Sequence, residues 1–161
     1  MKLPKLTPRL ALIASLVPHG TIVADIGTDH AYIPMFLVNS GIASYAIAAD
    51  KHMGPLRIAE ENIKFYGCED KVKILQSDGF LAFIPGQINT AIIAGMGGIL
   101  IAEILEAGKE IAKSLDYLIL QPMTAQLELR KYLIENGYTI TEEHVTREKD
   151  KFYYVICVES N

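Results

Sequence analysis

Cysteine is scarce in this sequence of 161 residues, which contains only Cys68 and Cys157. The two lie far apart and form no C-x-x-C pair, so they are typical of a reduced, intracellular protein, and we expect it in the cytoplasm. The histidines show no metal-ligand spacing with each other or with the cysteines, so we expect no metal site. These histidines are His19, His30, His52 and His144.

An excess of basic residues is also missing. Lys and Arg total 15 against 19 Asp and Glu, which gives a formal net charge of −4. This balance excludes the broad basic footprint of a protein that holds nucleic acid by charge alone, although it is compatible with a local basic patch. Several basic side chains could form a positive fringe, but a solvated charged surface is the more common explanation. They are Lys2, Lys5, Arg9, Arg130, Lys131, Arg147, Lys149 and Lys151.

Long hydrophobic runs are absent as well. No segment reaches membrane-spanning length without a charge or a glycine, so we expect no membrane partner. The apolar stretch near the N-terminus begins at Thr7-Pro8 and contains Arg9, which is typical of a helix start rather than a signal peptide. The length and the apolar half of the composition predict a single domain over residues 1–161 with its own core.

Five short apolar runs repeat one design along the chain. Each is too short for a helix, is rich in Ile, Val, Leu or Ala, and stops at Asp, Gly or Gln-Pro. Such continuous apolar character predicts strands buried on both faces of a parallel sheet. The runs are 21–25, 45–50, 72–78, 90–95 and 117–122.

Helical stretches separate these runs, at 31–40, 53–67, 97–112 and 124–137. Strands alternating with helices predict an α/β fold, a doubly wound Rossmann-like sheet with right-handed crossovers. The chain then ends in two β-prone runs, 138–145 and 152–159, joined by a charged stretch too short for a helix. We therefore expect a C-terminal antiparallel hairpin to close the mostly parallel sheet.

The loop after the first strand carries acids where a nucleotide loop carries glycines. A dinucleotide loop would read G-x-G-x-x-G, so that the backbone can approach the pyrophosphate. Here the frame reads Asp25-x-Gly27-x-Asp29-x-Ala31. A carboxylate at Asp29 would repel a pyrophosphate and would suit a ligand with positive charge. S-adenosylmethionine has an ammonium, a sulfonium and no phosphate, which makes it the candidate ligand.

Two further acids follow the next two strands. Asp50 lies where a carboxylate can accept both ribose hydroxyls, and Asp78 lies where one can accept the adenine amino group. Phe80, two residues later, is expected to pack on the adenine ring. Each Asp taken alone could equally be turn or cap chemistry. Carboxylates at three matching strand ends favour an adenosine-bearing cation.

A glycine cluster, "AGMGG" (94–98), ends the fourth strand at the same rim. Its glycines allow the backbone to pass close to a flat ligand and open a helix with free N–H groups. His30, directly after Asp29, is a candidate general base or cofactor contact, although a partly buried histidine bonded to the backbone explains it slightly better. The rim as a whole predicts a site for a cofactor and a target base.

With these motifs assembled, the chain resembles the bacterial tRNA (adenine-22-N1)-methyltransferase family of class I S-adenosylmethionine-dependent enzymes. The resemblance rests on "PRL", "ADIGTDHAYIP", "IAGMGG", "ILEAGK", "LILQP" and "KFYYVICVE", in order over nearly the whole chain. It implies a seven-stranded methyltransferase fold, S-adenosylmethionine as methyl donor, and N1 of adenine 22 of tRNA as acceptor.

The resemblance and the loop chemistry together give three sets of expected site residues. The catalytic candidates are Asp29 and His30. The cofactor-binding candidates are Asp25, Gly27, Asp29, His30, Asp50, Lys51, Asp78, Gly79, Ala94 and Gly95. The substrate-binding candidates are Arg9, Tyr32, Met96, Gly97, Gln121 and Pro122.

Two alternatives stay open at this point. One is a methyltransferase of the same fold that acts on a small molecule or a protein; the other is a non-catalytic module that binds adenosine or RNA. Family members usually continue past the hairpin into a helical, coiled-coil-like segment, whereas this sequence ends at Asn161. We therefore expect either a shortened chain or a short branch that holds RNA in another way.

Overall fold

Strands and helices alternate along the chain in the computed structural model, which describes residues 2–160. The strands are β1 (Thr21–Ile26), β2 (Ala43–Asp50), β3 (Val72–Gln76), β4 (Thr90–Met96), β5 (Tyr117–Pro122), β6 (Tyr138–Glu148) and β7 (Lys151–Ser160). The helices are α1 (Pro8–Ser15), α2 (Tyr32–Asn39), α3 (Met53–Phe65), α4 (Gly98–Ala107), α5 (Lys109–Ser114) and α6 (Gln126–Glu135). None of the helices in this part of the chain is long and apolar enough to cross a membrane.

All seven strands form one sheet in the order β3-β2-β1-β4-β5-β7-β6. The first five strands are parallel to one another, while β7 runs antiparallel to both β5 and β6. The predicted fold class, a mostly parallel Rossmann-like sheet closed by an antiparallel hairpin, is confirmed. The chain order reverses between β1 and β4, which is where ligands bind in open α/β sheets.

Each face of the sheet is covered by its own layer of helices. Buried side chains of α1, α2 and α3 pack with one face, and those of α4, α5 and α6 pack with the other. The parallel strands are apolar along most of their length because both faces are buried. The polar residues of these strands are therefore concentrated at the strand ends.

Most predicted element ends are shifted by one or two residues, and three boundaries differ in a more informative way. The predicted helix 97–112 is divided at Gly108, where an added Cβ would lie 2.6 Å from the Cβ of the buried Phe80. The third strand ends at Gln76, so Asp78 lies in the following loop rather than in the strand. The hairpin strands continue through the charged stretch to a turn at Lys149-Asp150, and Lys149 has a φ of 55°.

Candidate active site

A cavity of about 660 Å³ opens at the carboxyl ends of β1, β2 and β4. Its volume lies within the range of small-molecule sites, roughly 300–1,000 Å³. Four carboxylates line it, from Asp25, Asp29, Asp50 and Asp78. The cavity is therefore positioned by the reversal of the chain order and is rich in negative charge.

The loop between β1 and α2 reaches the cavity through unusual backbone geometry. Gly27, Asp29 and Ala31 all have positive φ angles, of 73°, 59° and 66°. Aspartate tolerates this region better than most side chains, whereas an alanine there is strained by roughly 1–2 kcal/mol. A Cβ added at Gly27 would clash with Cε of Met96. The loop thus needs glycine at this position to pass close to the end of β4.

Asp25 is the buried acid of the cavity. Its Oδ2 accepts a hydrogen bond of 2.9 Å from Oγ1 of Thr28. Burial raises the pKa of Asp25 to about 7, the Thr28 hydrogen bond opposes this rise, and the charge of Asp50 adds to it. A cation bound beside Asp25 would favour its charged form and lower this pKa.

Asp50 connects two loops of the site through its carboxylate. Its Oδ2 accepts from the backbone N–H of Asp29 at 3.3 Å, and its Oδ1 accepts from that of His52 at 3.0 Å. Farther out, Nζ of Lys51 lies 3.8 Å from Oδ2 of Asp78, and both of these side chains are exposed. The loops after β1 and β2 are therefore held in register by one acid, while the outer ion pair is free to rearrange around a ligand.

Arg9 enters the cavity from α1 and is held by a fully buried glutamine. Its Nη1 donates to Oε1 of Gln121 at 2.9 Å, and the same oxygen accepts from the backbone N–H of Gly95 at 3.0 Å. The backbone N–H of Arg9 also donates to Oε1 of Glu148 at 2.6 Å. One amide oxygen at the end of β5 thus positions both the arginine and the glycine of β4.

The rim of the cavity carries an imidazole, a phenol and a carboxylate. Nε2 of His30 lies 3.7 Å from Oδ1 of Asp29, and the His30 ring contacts the Tyr32 ring edge-to-face at a centroid distance of 5.7 Å. Tyr32 is partly exposed, so its ring can be reached from solvent. The two rings can stack against a planar ligand, and the imidazole or the carboxylate can accept a proton from it.

Comparisons with known proteins agree with this geometry. The sequence model of the methyltransferase-domain family matches residues 6–156. A tRNA (adenine(22)-N(1))-methyltransferase of Bacillus subtilis is 38% identical over 156 residues, which cover 97% of this chain and 66% of that protein. The crystal structure of the B. subtilis M1A22 tRNA methyltransferase TrmK has a TM-score of 0.92 and 37% identity, and the match covers 98% of this chain and 67% of that one. The chain belongs to the tRNA (adenine-22-N1)-methyltransferase family.

A second structure of the family carries a ligand. The structure of M. capricolum TrmK was determined in complex with S-adenosyl-homocysteine, described as its natural cofactor product. It matches at a TM-score of 0.87 and 32% identity, over 97% of this chain and 69% of that one. The present chain thus spans about two thirds of the length of these relatives. The resemblance drawn from its sequence motifs is confirmed.

The structure brings most of the predicted site residues together. Every predicted cofactor-binding residue lines the cavity: Asp25, Gly27, Asp29, His30, Asp50, Lys51, Asp78, Gly79, Ala94 and Gly95. Of the predicted substrate-binding residues, Arg9, Tyr32 and Met96 also line it. Gly97, Gln121 and Pro122 do not line it; Gly97 lies at the N-terminus of α4. The roles of all these residues remain predictions.

Phe80, expected to pack on the adenine ring beside Asp78, does not line the cavity. Phe80 lies in the core, where it packs on Gly108 and Phe83, and Leu100 and Ile104 of α4 line the cavity instead. Thr28, the hydrogen-bond partner of Asp25, is a further site residue that was not predicted. Spacing along β3 and its loop could not show the α4 residues, because they come from a helix that follows β4, two strands away from β2 in the sheet.

Proposed function

We propose that this protein transfers a methyl group from S-adenosylmethionine to N1 of an adenine in tRNA, at position 22 in the D-loop region. One observation carries the proposal: in a chain of this family, Asp25, Asp50 and Asp78 lie at or just after the carboxyl ends of three successive strands and line one cavity with Asp29. The B. subtilis relative is named for this reaction, and the M. capricolum relative was determined with the cofactor product. We also propose that the reaction takes place in the cytoplasm, where tRNA is the substrate.

The chemistry of the cavity suits S-adenosylmethionine. A ligand with an ammonium and a sulfonium is favoured by nearby carboxylates, whereas the phosphates of a dinucleotide would be repelled by them. We assign Asp25 and Asp29 to the cationic end of the cofactor and Asp50 to its ribose hydroxyls. Asp78 and Gly79 would hold the adenine, with Ile104 beside Gly79 supplying an apolar surface.

The remaining cofactor contacts come from the loops that border these acids. Ala94 and Gly95 lie near the end of β4 and line the cavity, as do Lys51 and His30. Because Gly95 has a φ of 76° and its N–H is bonded to Gln121, its position does not depend on the ligand. We propose that this preformed backbone at Ala94 and Gly95 aligns the donor methyl with the acceptor.

The acceptor adenine would enter at the rim formed by Arg9, Tyr32 and Met96. Tyr32 offers a partly exposed ring for stacking, and Arg9 is held in place by Gln121. We assign Gly97 and Pro122 to the side of the site that binds the acceptor, because the backbone at the ends of β4 and β5 gives that side its shape. N1 of adenine takes part in Watson–Crick pairing, so the base must be unpaired or flipped out before it reacts.

Methyl transfer to N1 requires alignment more than it requires a base. The donor supplies an electrophilic methyl group on sulfur. The neutral adenine N1 already holds an in-plane lone pair, so the residues need not remove a proton before attack, and alignment alone can be worth roughly 7–11 kcal/mol. The product carries positive charge, and we propose that Asp29 and His30 stabilise it and accept the N6 proton when it leaves.

Nucleoside mass spectrometry of tRNA incubated with the protein and isotopically labelled S-adenosylmethionine tests the proposal. We expect labelled 1-methyladenosine with the wild-type protein. Asp50→Ala should weaken donor binding by about 1–3 kcal/mol, because it leaves ribose hydroxyls and two backbone N–H groups without their acceptor. Asp70→Ala, an exposed acid outside the cavity, is the matched control and should change neither binding nor methylation.

The two alternatives predict other results in the same assay. Label in a protein or a small molecule, but not in tRNA, would indicate a methyltransferase of this fold with another acceptor. Donor binding without transfer to any acceptor would indicate a non-catalytic adenosine-binding module. Either result would contradict the proposed reaction.

A further inference from the structure

A second group of chemically reactive side chains lies on the hairpin, outside the cavity. Glu142 and His144 are two residues apart on β6 and therefore project from the same face of the strand. Cys157 on β7 is paired directly with Glu142 in the strand register, so its side chain lies on that face too. The pairing follows a register shift between Ile140 and Glu142, where one extra residue bulges from β6.

The three side chains present donor atoms of the kinds that bind a transition metal. A carboxylate oxygen of Glu142, an imidazole nitrogen of His144 and Sγ of Cys157 all lie within 4.8 Å of one another. In a tetrahedral zinc site with bonds of about 2.0–2.3 Å, ligand atoms lie about 3.3–3.8 Å apart. Small side-chain rotations, without a change in the strands, therefore suffice to reach this geometry.

The imidazole of His144 gives a second, independent indication. Its Nε2 atom is buried and has no hydrogen-bond partner among residues 2–160, although Oε1 of Glu142 lies 3.5 Å away. Buried polar atoms are nearly always bonded, so an unpartnered one calls for a ligand. In the neutral tautomer with the proton on Nδ1, Nε2 has the free lone pair that a metal ion needs.

The charges of the cluster specify the class of ion. A thiolate from Cys157 and the carboxylate of Glu142 together carry two negative charges, which a divalent cation would neutralise in this partly buried position. Thiolate and imidazole ligands select zinc over the oxygen-seeking ions magnesium and calcium. Three protein ligands leave the fourth position for water.

We propose that Glu142, His144 and Cys157 bind a zinc ion that links β6 to β7 beside the bulge. Binding replaces the proton of the Cys157 thiol with a zinc–sulfur bond and releases that proton to solvent, with no change in oxidation state. Because β7 also pairs with β5, the ion would stabilise the hairpin against the rest of the sheet. The site takes no part in methyl transfer and does not depend on the proposed reaction.

Zinc titration of chelator-treated protein against a chromophoric competitor tests the site. We expect one equivalent of zinc per chain, a higher melting temperature with zinc, and a thiolate-to-metal charge-transfer band when cobalt is used as the probe. His144→Gln, Cys157→Ser and Glu142→Gln should each weaken zinc binding at least tenfold. Glu142 is exposed, so its variant should fold normally even if the buried Cys157→Ser does not.

Matched controls separate this cluster from adventitious binding. His19→Gln changes an exposed histidine and Cys68→Ser a buried cysteine, both outside the cluster, and neither should alter zinc affinity or the cobalt band. The proposal is overturned if the wild type does not bind zinc stoichiometrically. It is also overturned if binding persists in the folded Glu142→Gln and His144→Gln variants, or if the controls abolish it.

Discussion

Asp25 is the residue whose chemistry is most altered by the fold. Its carboxyl has a pKa of about 7 in the folded chain because it is buried, against an ordinary value of 3.8. A cationic cofactor stabilises the charged form, so its binding must release a proton when Asp25 is protonated beforehand. We expect donor affinity to rise between pH 6 and pH 8. Calorimetry in buffers of different ionisation enthalpy measures the released proton, and Asp25→Asn should abolish the release; proton-independent binding by the wild type would contradict the assignment.

The raised pKa of Asp25 also determines how the stability of the cofactor-free fold depends on pH. The folded state binds the Asp25 proton more tightly than the unfolded chain does, so this group stabilises the fold below about pH 4. That contribution is lost as the pH rises through about 7. A tenfold change in proton affinity corresponds to about 1.4 kcal/mol, so the loss amounts to at most about 4 kcal/mol. The difference between wild type and Asp25→Asn in urea unfolding across this range isolates it.

Substitution of Asp29 tests whether negative charge at the rim of the cavity matters for the reaction. Asn retains the shape of Asp and tolerates its positive φ, so Asp29→Asn removes the charge with little strain. We expect stability to change by less than about 0.5 kcal/mol and the single-turnover rate to fall by roughly tenfold. Asp70→Asn is the control for an exposed acid outside the cavity. A normal rate with a lower melting temperature would make Asp29 a structural residue.

At the scale of elements, the loop between β1 and α2 sets the shape of the cavity. Gly27→Ala and Gly20→Ala both place a side chain at a φ above 70°, but only the Cβ at Gly27 meets another atom within 4 Å, Cε of Met96. We expect both variants to lose about 1–2 kcal/mol of stability from backbone strain. Only Gly27→Ala should also weaken donor binding, because Met96, which lines the cavity, must move. Equal donor affinity in the two variants would show that the loop does not shape the site.

The junction of α1, β4 and β5 depends on one amide side chain. Gln121→Met removes the acceptor of Gly95 N–H and of Arg9, and should destabilise the chain by about 1–3 kcal/mol. The loss of a defined Arg9 position should raise KM for tRNA more than it weakens donor binding. Gln121→Glu keeps the acceptor oxygens and should retain both properties. Unfolding curves and steady-state kinetics compare the two, and identical behaviour would contradict the positioning role of Gln121.

The order of elements was predictable, whereas their exact ends were not. Apolar runs and intervening helical stretches gave the parallel sheet and the hairpin, because burial on two faces leaves a clear signal in composition. The division of one helix at Gly108 depends on contact with Phe80, and the third strand is shorter than its apolar run. These boundaries are decided by tertiary packing, which spacing along the chain does not show.

The candidate site, like the fold, was predictable only in part. Carboxylates at strand ends were predictable because the ends of parallel strands meet at one edge of the sheet. The Arg9–Gln121 contact joins residues 112 positions apart, and no local pattern reveals it. Likewise, His144 and Cys157 show no ligand spacing in the sequence, and the antiparallel pairing of β6 with β7 brings them together.

At the scale of the whole molecule, charge limits how tightly RNA can bind. The net charge is −4, and several basic side chains of the expected fringe are already engaged: Arg130 with Glu143, Arg147 with Asp150, and Arg9 with Gln121. We expect weak tRNA binding by this 161-residue chain, with a salt slope shallower than about −3, since each neutralised phosphate contributes about −0.7 to −0.9. Fluorescence anisotropy over a salt series measures it. Tight binding with a much steeper slope would show that the fringe is an RNA surface.

Methyl transfer to N1 of adenine 22 is tested most directly with two tRNA transcripts that differ only at position 22. One carries adenine there and the other guanine, and each is incubated with the protein and labelled S-adenosylmethionine before nucleoside mass spectrometry. We expect labelled 1-methyladenosine in the adenine-22 transcript and none in the guanine-22 transcript. Equal labelling of both transcripts, or no labelling of either by protein that binds the donor, would contradict it.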